Sequence, residues 1–172
     1  MFKAQTFEIY CAGEFQTTSE IVSVTNPYDG NEVAKTFLAG EAELNKAIEA
    51  AVRVADEMAN IPSFTRYSIL KQISEEILSL RQQFAELIAL ESGKPIRNAL
   101  AEVDRSIQTF TIASEECKRL PAEYLSLDWT PAGAGKEGIV KYFPIGIVAG
   151  IAPFNFPLNL AVHKIAPAIA AG

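Results

Sequence analysis

The sequence predicts an α/β fold, and three observations carry that reading. The run Ile145-Gly146-Ile147-Val148-Ala149-Gly150-Ile151 is continuously apolar, the pattern of a strand buried on both faces of a parallel sheet. A sharp loop, Ala152 to Pro157, and a helical stretch from Leu158 follow it; together they make half of a βαβ unit. Ahead of them lie three segments whose apolar residues recur at steps of three and four, the signature of amphipathic helices.

The elements follow in chain order. Phe7, Ile9 and Cys11 alternate with polar residues, Ala12-Gly13 can turn the chain, and Phe15 follows. Ile21-Val22-Ser23-Val24 and Val33 to Leu38 flank Asn26-Pro27-Tyr28-Asp29-Gly30-Asn31, and Asp-Gly is a strong hairpin signal because both residues tolerate positive φ. Residues 6–38 therefore read as small antiparallel strands. A first helix is expected from about Glu41 to Ala59, with Leu44, Ile48, Ala51 and Ala55 on one face. A second begins near Ser63, an N-cap candidate, and carries Leu70, Ile73, Ile77, Leu80, Phe84 and Leu87 as far as Ser92-Gly93. A third starts at Pro95, suited to a first turn, with Ile96, Leu100, Val103, Ile107, Phe110 and Cys117 as its stripe. All three stripes read as core. Leu125, Leu127 and Trp129 alternate, Pro131-Ala132-Gly133-Ala134-Gly135 is a loop, and Gly138 to Phe143 reads as the second strand of a hairpin. Pro167 is expected to kink the last helix.

Composition sets outer limits. The chain has 172 residues, 49% of them hydrophobic and 21% charged, with a net charge of −6; that excludes a disordered chain. The acidic balance argues against a nucleic-acid partner, which requires clustered Lys and Arg. Two cysteines, Cys11 and Cys117, and one histidine leave no disulfide framework and no metal-ligand cluster. Met1 to Glu8 has no apolar leader core, so no signal peptide is expected and the cytosol is the default compartment. Tyr142 to Val162 has no charge and is long enough to span a bilayer, but Pro144, Pro153, Pro157, Asn155 and Asn159 within it argue against a membrane partner.

Little in these residues announces chemistry. Gly146 and Gly150 do not form a dinucleotide fingerprint, since they lie inside the run and at the wrong spacing. No Ser-His-Asp or Cys-His arrangement can be assembled. The acidic residues sit mainly on helix faces, where solvation is the ordinary role. One element stands apart: Pro153-Phe154-Asn155-Phe156-Pro157 puts an amide at the carboxyl end of the apolar run, the edge where open α/β sheets bind ligands. Two roles are open for Asn155. It is a fixed donor toward developing negative charge, or it satisfies turn backbone.

The run Pro144-Ile145-Gly146-Ile147-Val148-Ala149-Gly150-Ile151-Ala152-Pro153-Phe154-Asn155-Phe156-Pro157-Leu158 closely resembles the first cofactor-domain strand and catalytic-asparagine loop of the NAD(P)-dependent aldehyde dehydrogenase superfamily. Asn26-Pro27-Tyr28-Asp29-Gly30 resembles its early Asn-Pro-x-x-Gly turn, and Glu91-Ser92-Gly93-Lys94-Pro95 its Glu-x-Gly-Lys-Pro junction. Glu102-Val103-Asp104-Arg105, Glu115-Glu116 and Asn159 to Lys164 resemble the lactaldehyde and non-phosphorylating glyceraldehyde-3-phosphate dehydrogenase branch.

The resemblance implies a truncated Rossmann-like cofactor domain with N-terminal helices and an oligomerisation hairpin. Its divisions are residues 1–122 (strands and helices of the cofactor domain), 123–143 (hairpin) and 144–172 (first strand, loop and helix of the incomplete Rossmann-like core). It implies a mechanism in which a cysteine attacks the aldehyde, hydride passes to NAD or NADP, and a glutamate-activated water releases the acid. By the same resemblance Asn155 is the oxyanion amide and Lys164 lies near a proton path, with helix-end solvation as the other role for Lys164. Ile151, Ala152, Pro153 and Phe154 lie along the cofactor. Leu160 and His163 line the substrate tunnel, a structural histidine being the alternative for the latter. Arg105, which points away from the apolar stripe, holds an anionic substrate group or is simply solvated. The nucleophile and the base match no residue here, so this chain alone is expected to be inactive. The complete subunit is expected to oxidise a small anionic or hydroxylated aldehyde and to form homo-oligomers. The rival expectation is a non-catalytic protein that associates with full-length subunits.

Overall fold

The computed structural model describes residues 5–172; Met1–Ala4, the start of the segment read for a leader, lie outside the described residues. Two short sheets form first. In one, β4 (Ile21–Thr25) pairs antiparallel with β5 (Glu32–Phe37), with a bulge at Val24/Thr25. The Asn26–Asn31 turn closes this hairpin: Asn26 Oδ1 accepts the Tyr28 N–H at 2.9 Å, and Gly30 takes φ 72°. On the other side of β5, β1 (Gln5–Thr6) pairs parallel, which corrects the wholly antiparallel expectation. The second sheet is the hairpin β2 (Ile9–Cys11) and β3 (Glu14–Gln16). Ala12 and Gly13 turn it, both at positive φ (54° and 92°), the geometry that matches strand twist.

Five helices follow: α1 (Glu41–Ala59), α2 (Ser63–Ser79), α3 (Arg81–Ser92), α4 (Ile96–Glu116) and α5 (Pro157–Ala171). The Glu43 carboxylate accepts the Gly40 N–H at 2.7 Å and starts α1. Pro62 rather than Ser63 occupies the cap position of α2. The expected single second helix is two. Leu80 leaves helical geometry (φ −103°, ψ 12°) and serves as the C-cap of α2 and the N-cap of α3. The Ser79 hydroxyl bonds back to the Glu76 carbonyl at 2.8 Å, a competition with the helical ladder that favours such bends. The break lets both helices pack on α4, which Arg81 fastens through Nε and Nη2 to the Asp104 carboxylate at 2.5 and 2.6 Å. Gly93 ends α3 in the left-handed region, φ 67°.

The core lies among α2, α3, α4 and α5, around Leu70, Ala85, Ile88, Val103, Phe110 and Val162. α1 stays outside it. No α1 residue is buried, and Leu44 and Ile48 are exposed, so the first predicted stripe is not core. Instead Ala51, Val54 and Ala55 face Pro144, Ile145 and their neighbours across an open cavity of about 440 Å³.

β6 (Ala122–Ser126) and β7 (Glu137–Lys141) form the expected antiparallel hairpin, with a 3-10 turn at Pro131–Gly133 and Trp129 at 77% exposure. The apolar run departs from expectation. Residues 144–153 form no strand: no backbone ladder bond holds them, and Ile145, Ile147, Val148 and Ile151 are exposed. A parallel strand needs a neighbour on its edge, and among the described residues none pairs with this one. α5 runs uninterrupted through Pro167. Among the described residues no helix is long and apolar enough to cross a membrane.

Candidate active site

The site grows from the end of the apolar run. Pro153 to Phe156 make a turn, and Pro157 opens α5 at its first position, where its missing N–H costs nothing. Gly150 admits α5: a Cβ there would stand 3.0 Å from Lys164 Cβ. Ile151, Ala152, Pro153 and Phe154 are all exposed. Asn155 is exposed too, and among the described residues its side-chain amide makes no hydrogen bond, so the turn does not consume it.

What holds this turn is an ion pair that composition and the apolar stripe did not reveal. Glu102, on α4, is 2% exposed. Its Oε1 accepts the N–H groups of Leu158 (3.1 Å) and Asn159 (3.2 Å), and Lys94 Nζ donates to its Oε2 at 2.5 Å. The two amides are among the unpaired donors of the first turn of α5, at the positive end of its dipole, where a carboxylate is favoured. Lys94 also donates to the Asn155 carbonyl at 3.0 Å and lies 4.2 Å from the Phe156 ring centroid. Glu102 is an exception to the expectation that acidic residues sit mainly on solvated helix faces. Its signal was present in the spacing: Ala99, Glu102, Ser106, Phe110 and Ala113 fall on one helical face, and all are buried. Counting only apolar residues hid it.

Nearby, Glu91 is half-buried. Burial pushes its carboxyl up, the neighbouring Glu102 charge adds to this, and Lys94 opposes it. Gly93 meets Pro27 so closely that a Cβ would approach Pro27 Cγ to 2.9 Å. The Asn-Pro turn, the Gly-Lys-Pro junction and the asparagine loop, far apart in sequence, are thus one connected structure.

The remaining predicted residues lie around this point. Ala152, His163 and Lys164 line one open cavity of about 630 Å³ beside the apolar run. His163 also borders a cavity of about 430 Å³ between α4 and α5, with Thr109, Ile112 and Glu116. Leu160 is half-buried. Arg105 is exposed, lines neither cavity, and forms no ion pair among the described residues. It stands three residues beyond Glu102 on α4, about 60° round the helix. Both cysteines are buried. Cys117 donates to the Ser114 and Ser63 carbonyls at 3.0 and 3.5 Å, and burial raises its thiol pKa.

The sequence profile of the aldehyde dehydrogenase family matches residues 15–172. The chain is 36% identical over 171 residues to the 3-sulfolactaldehyde dehydrogenase of Priestia aryabhattai, spanning 99% of this chain and 35% of that enzyme. It is 39% identical over 153 residues to the lactaldehyde dehydrogenase of Methanocaldococcus jannaschii, spanning 89% of this chain and 32% of that enzyme. The crystal structure of the NADP-dependent glyceraldehyde-3-phosphate dehydrogenase of Bacillus halodurans, complexed with NADP, superimposes with a TM-score of 0.90 at 30% identity. That match covers 97% of this chain and 36% of the other. The chain therefore spans about a third of the length of these relatives, and it belongs to the aldehyde dehydrogenase family.

Proposed function

We propose that this chain is the N-terminal portion of a subunit that oxidises a small anionic or hydroxylated aldehyde to its carboxylic acid with NAD or NADP. The observation that carries this reading is the unbonded Asn155 amide, held at the exposed end of the apolar run beside Ile151–Phe154. These four residues fit the cofactor. They offer an exposed apolar surface whose backbone donors and acceptors are unpaired among the described residues, suited to a flat ring and its ribose. The bound cofactor would accept the hydride.

The part of the chemistry assigned to this chain is positioning and charge stabilisation. As the aldehyde oxygen gains negative charge, the Asn155 NH₂ donates to it; a donor already aimed at that point needs no reorganisation. Lys164 and His163, on one cavity wall, lie where a proton path and a substrate tunnel are proposed. Leu160 contributes to the same tunnel. Arg105 supplies a planar fork for a phosphate, sulfonate or carboxylate. Similarity to a sulfolactaldehyde dehydrogenase and a glyceraldehyde-3-phosphate dehydrogenase supports an anionic substrate. Residues 1–122 and 144–172 form the cofactor-domain portion in this reading. The hairpin of residues 123–143, which exposes Trp129, Tyr124 and Ile139, forms the contact between copies.

The test is Asn155→Ala in the full-length protein that carries this segment. Turnover should fall by about 10²–10³ with cofactor affinity unchanged. Near-normal turnover would return Asn155 to a turn-forming role.

A further inference from the structure

The Lys94–Glu102 pair spans more than its own elements. We infer that Lys94 and Glu102 are positioning residues that set the direction of the Asn155 amide, by clamping its turn and the first turn of α5 onto α4. The inference rests on the reading of Asn155 as an oxyanion donor. Its evidence is geometric. The Glu102 side chain is fully buried and the Lys94 side chain nearly so, at 0% and 14% exposure. A buried carboxylate is costly unless its lone pairs are filled, and here three donors fill them.

The pair reaches both sides of the turn. Lys94 fixes the carbonyl of Asn155 itself and packs against Phe156, while Glu102 fixes the amides of residues 158 and 159. The chain on either side of Pro157 is therefore held by two side chains joined to each other. Asn155 has no side-chain bond of its own among the described residues, so the Cα–Cβ direction that its backbone sets decides which points its amide can reach. Lys94 is anchored in turn. It follows Gly93, whose left-handed φ of 67° and close approach to Pro27 fix the start of the lysine. An apolar pair could fill the same space. It could not hold a carbonyl on one side of Pro157 and two amides on the other.

The experiment uses Lys94→Met, Glu102→Gln and the double variant Lys94→Met/Glu102→Met in the full-length protein, each also combined with Asn155→Ala. Misplacing a reacting group by about an ångström costs up to about 10²-fold. Lys94→Met should therefore lower kcat by about 10–100-fold and leave cofactor affinity unchanged. Glu102→Gln, which keeps an acceptor for the two amides, should lose less. In the Asn155→Ala background Lys94→Met should cost nothing further, because coupled residues are not additive. Removing both charges is often neutral for stability, so the double variant should melt near the parent temperature with kcat still reduced. Recovery of kcat along with stability would make the pair a structural contact only and overturn the inference, as would additive losses.

Amide hydrogen exchange separates this test from that of the underlying reading. Lys94→Met in the full-length protein should speed exchange at Leu158 and Asn159 more than at Val103 or Phe110. Unchanged exchange at those two amides overturns the clamp whatever Asn155→Ala does. An inert Asn155→Ala beside accelerated exchange overturns the Asn155 reading and leaves a clamp without the positioning role.

Discussion

At the scale of single residues, two carboxyl groups respond to pH in opposite directions. Hydrogen bonding to Arg81 lowers the Asp104 pKa; desolvation opposes this, and the Arg81 charge adds to the lowering. That contribution is present above the unfolded carboxylate pKa and is lost as pH falls through the folded one; both partners are well exposed, so it is small. Burial raises the Glu91 pKa, so folding favours its protonated form and stability falls as pH rises from the unfolded value toward the folded one. Glu91→Gln should therefore raise the urea midpoint near pH 7 and leave it unchanged below about pH 3, under the ordinary glutamate range. Equal effects at both would contradict the assignment. Arg105→Leu in the full-length protein should raise KM for a short anionic aldehyde and leave an uncharged one nearly unaffected. Equal effects on both would put Arg105 back on the surface. Asn155 stood out in the sequence because prolines bracket it, but its proposed role came from the family resemblance and not from the residues alone. Glu102 was legible only as a position on the buried face of α4, because the donors that let a carboxylate be buried there arrive from 56 and 57 residues further along.

At the scale of elements, backbone geometry decides what a glycine can become. Gly93 and Gly30 both take left-handed φ, 67° and 72°, but only Gly93 is crowded, with Pro27 Cγ at 2.9 Å from a built Cβ. Gly30→Ala should cost the left-handed penalty alone, about 1–2 kcal/mol. Gly93→Ala should cost more, about 2–3 kcal/mol with the contact strain added, and denaturant midpoints of the two variants check the order. The helices α2, α4 and α5, the β4–β5 turn and the β6–β7 hairpin were all readable, since local periodicity and turn residues determine them. The break at Leu80 was not, because the apolar stripe continues smoothly across it and only the ψ change at Leu80 marks it. The apolar stripe of α1 and the run 145–151 were read as buried. Their pattern is that of a covered surface, but burial is set by what packs against them, which among the described residues is little. The β1–β5 parallel pair depends on a contact across 29 residues, which no local pattern encodes.

At the scale of the whole molecule, the molecule presents an apolar edge. Ile145, Ile151 and Phe154 are 92%, 85% and 91% exposed, and among the described residues the backbone beside them is unpaired. Such surfaces associate. The chain of residues 1–172 by itself should therefore bind a hydrophobic dye and sediment as more than a monomer at micromolar concentration; a dye-silent monomer would contradict this. The same chain should oxidise no aldehyde, since Cys11 and Cys117 are buried, and burial keeps the Cys117 thiol protonated. Turnover abolished by Cys117→Ser would contradict that. For the full-length protein the most direct measurement is the rate of nicotinamide reduction with a panel of aldehydes. A short aldehyde bearing a sulfonate, phosphate or hydroxyl group should show a higher kcat/KM than a long aliphatic one, as the proposed function requires. No aldehyde-dependent reduction of either NAD or NADP would contradict it.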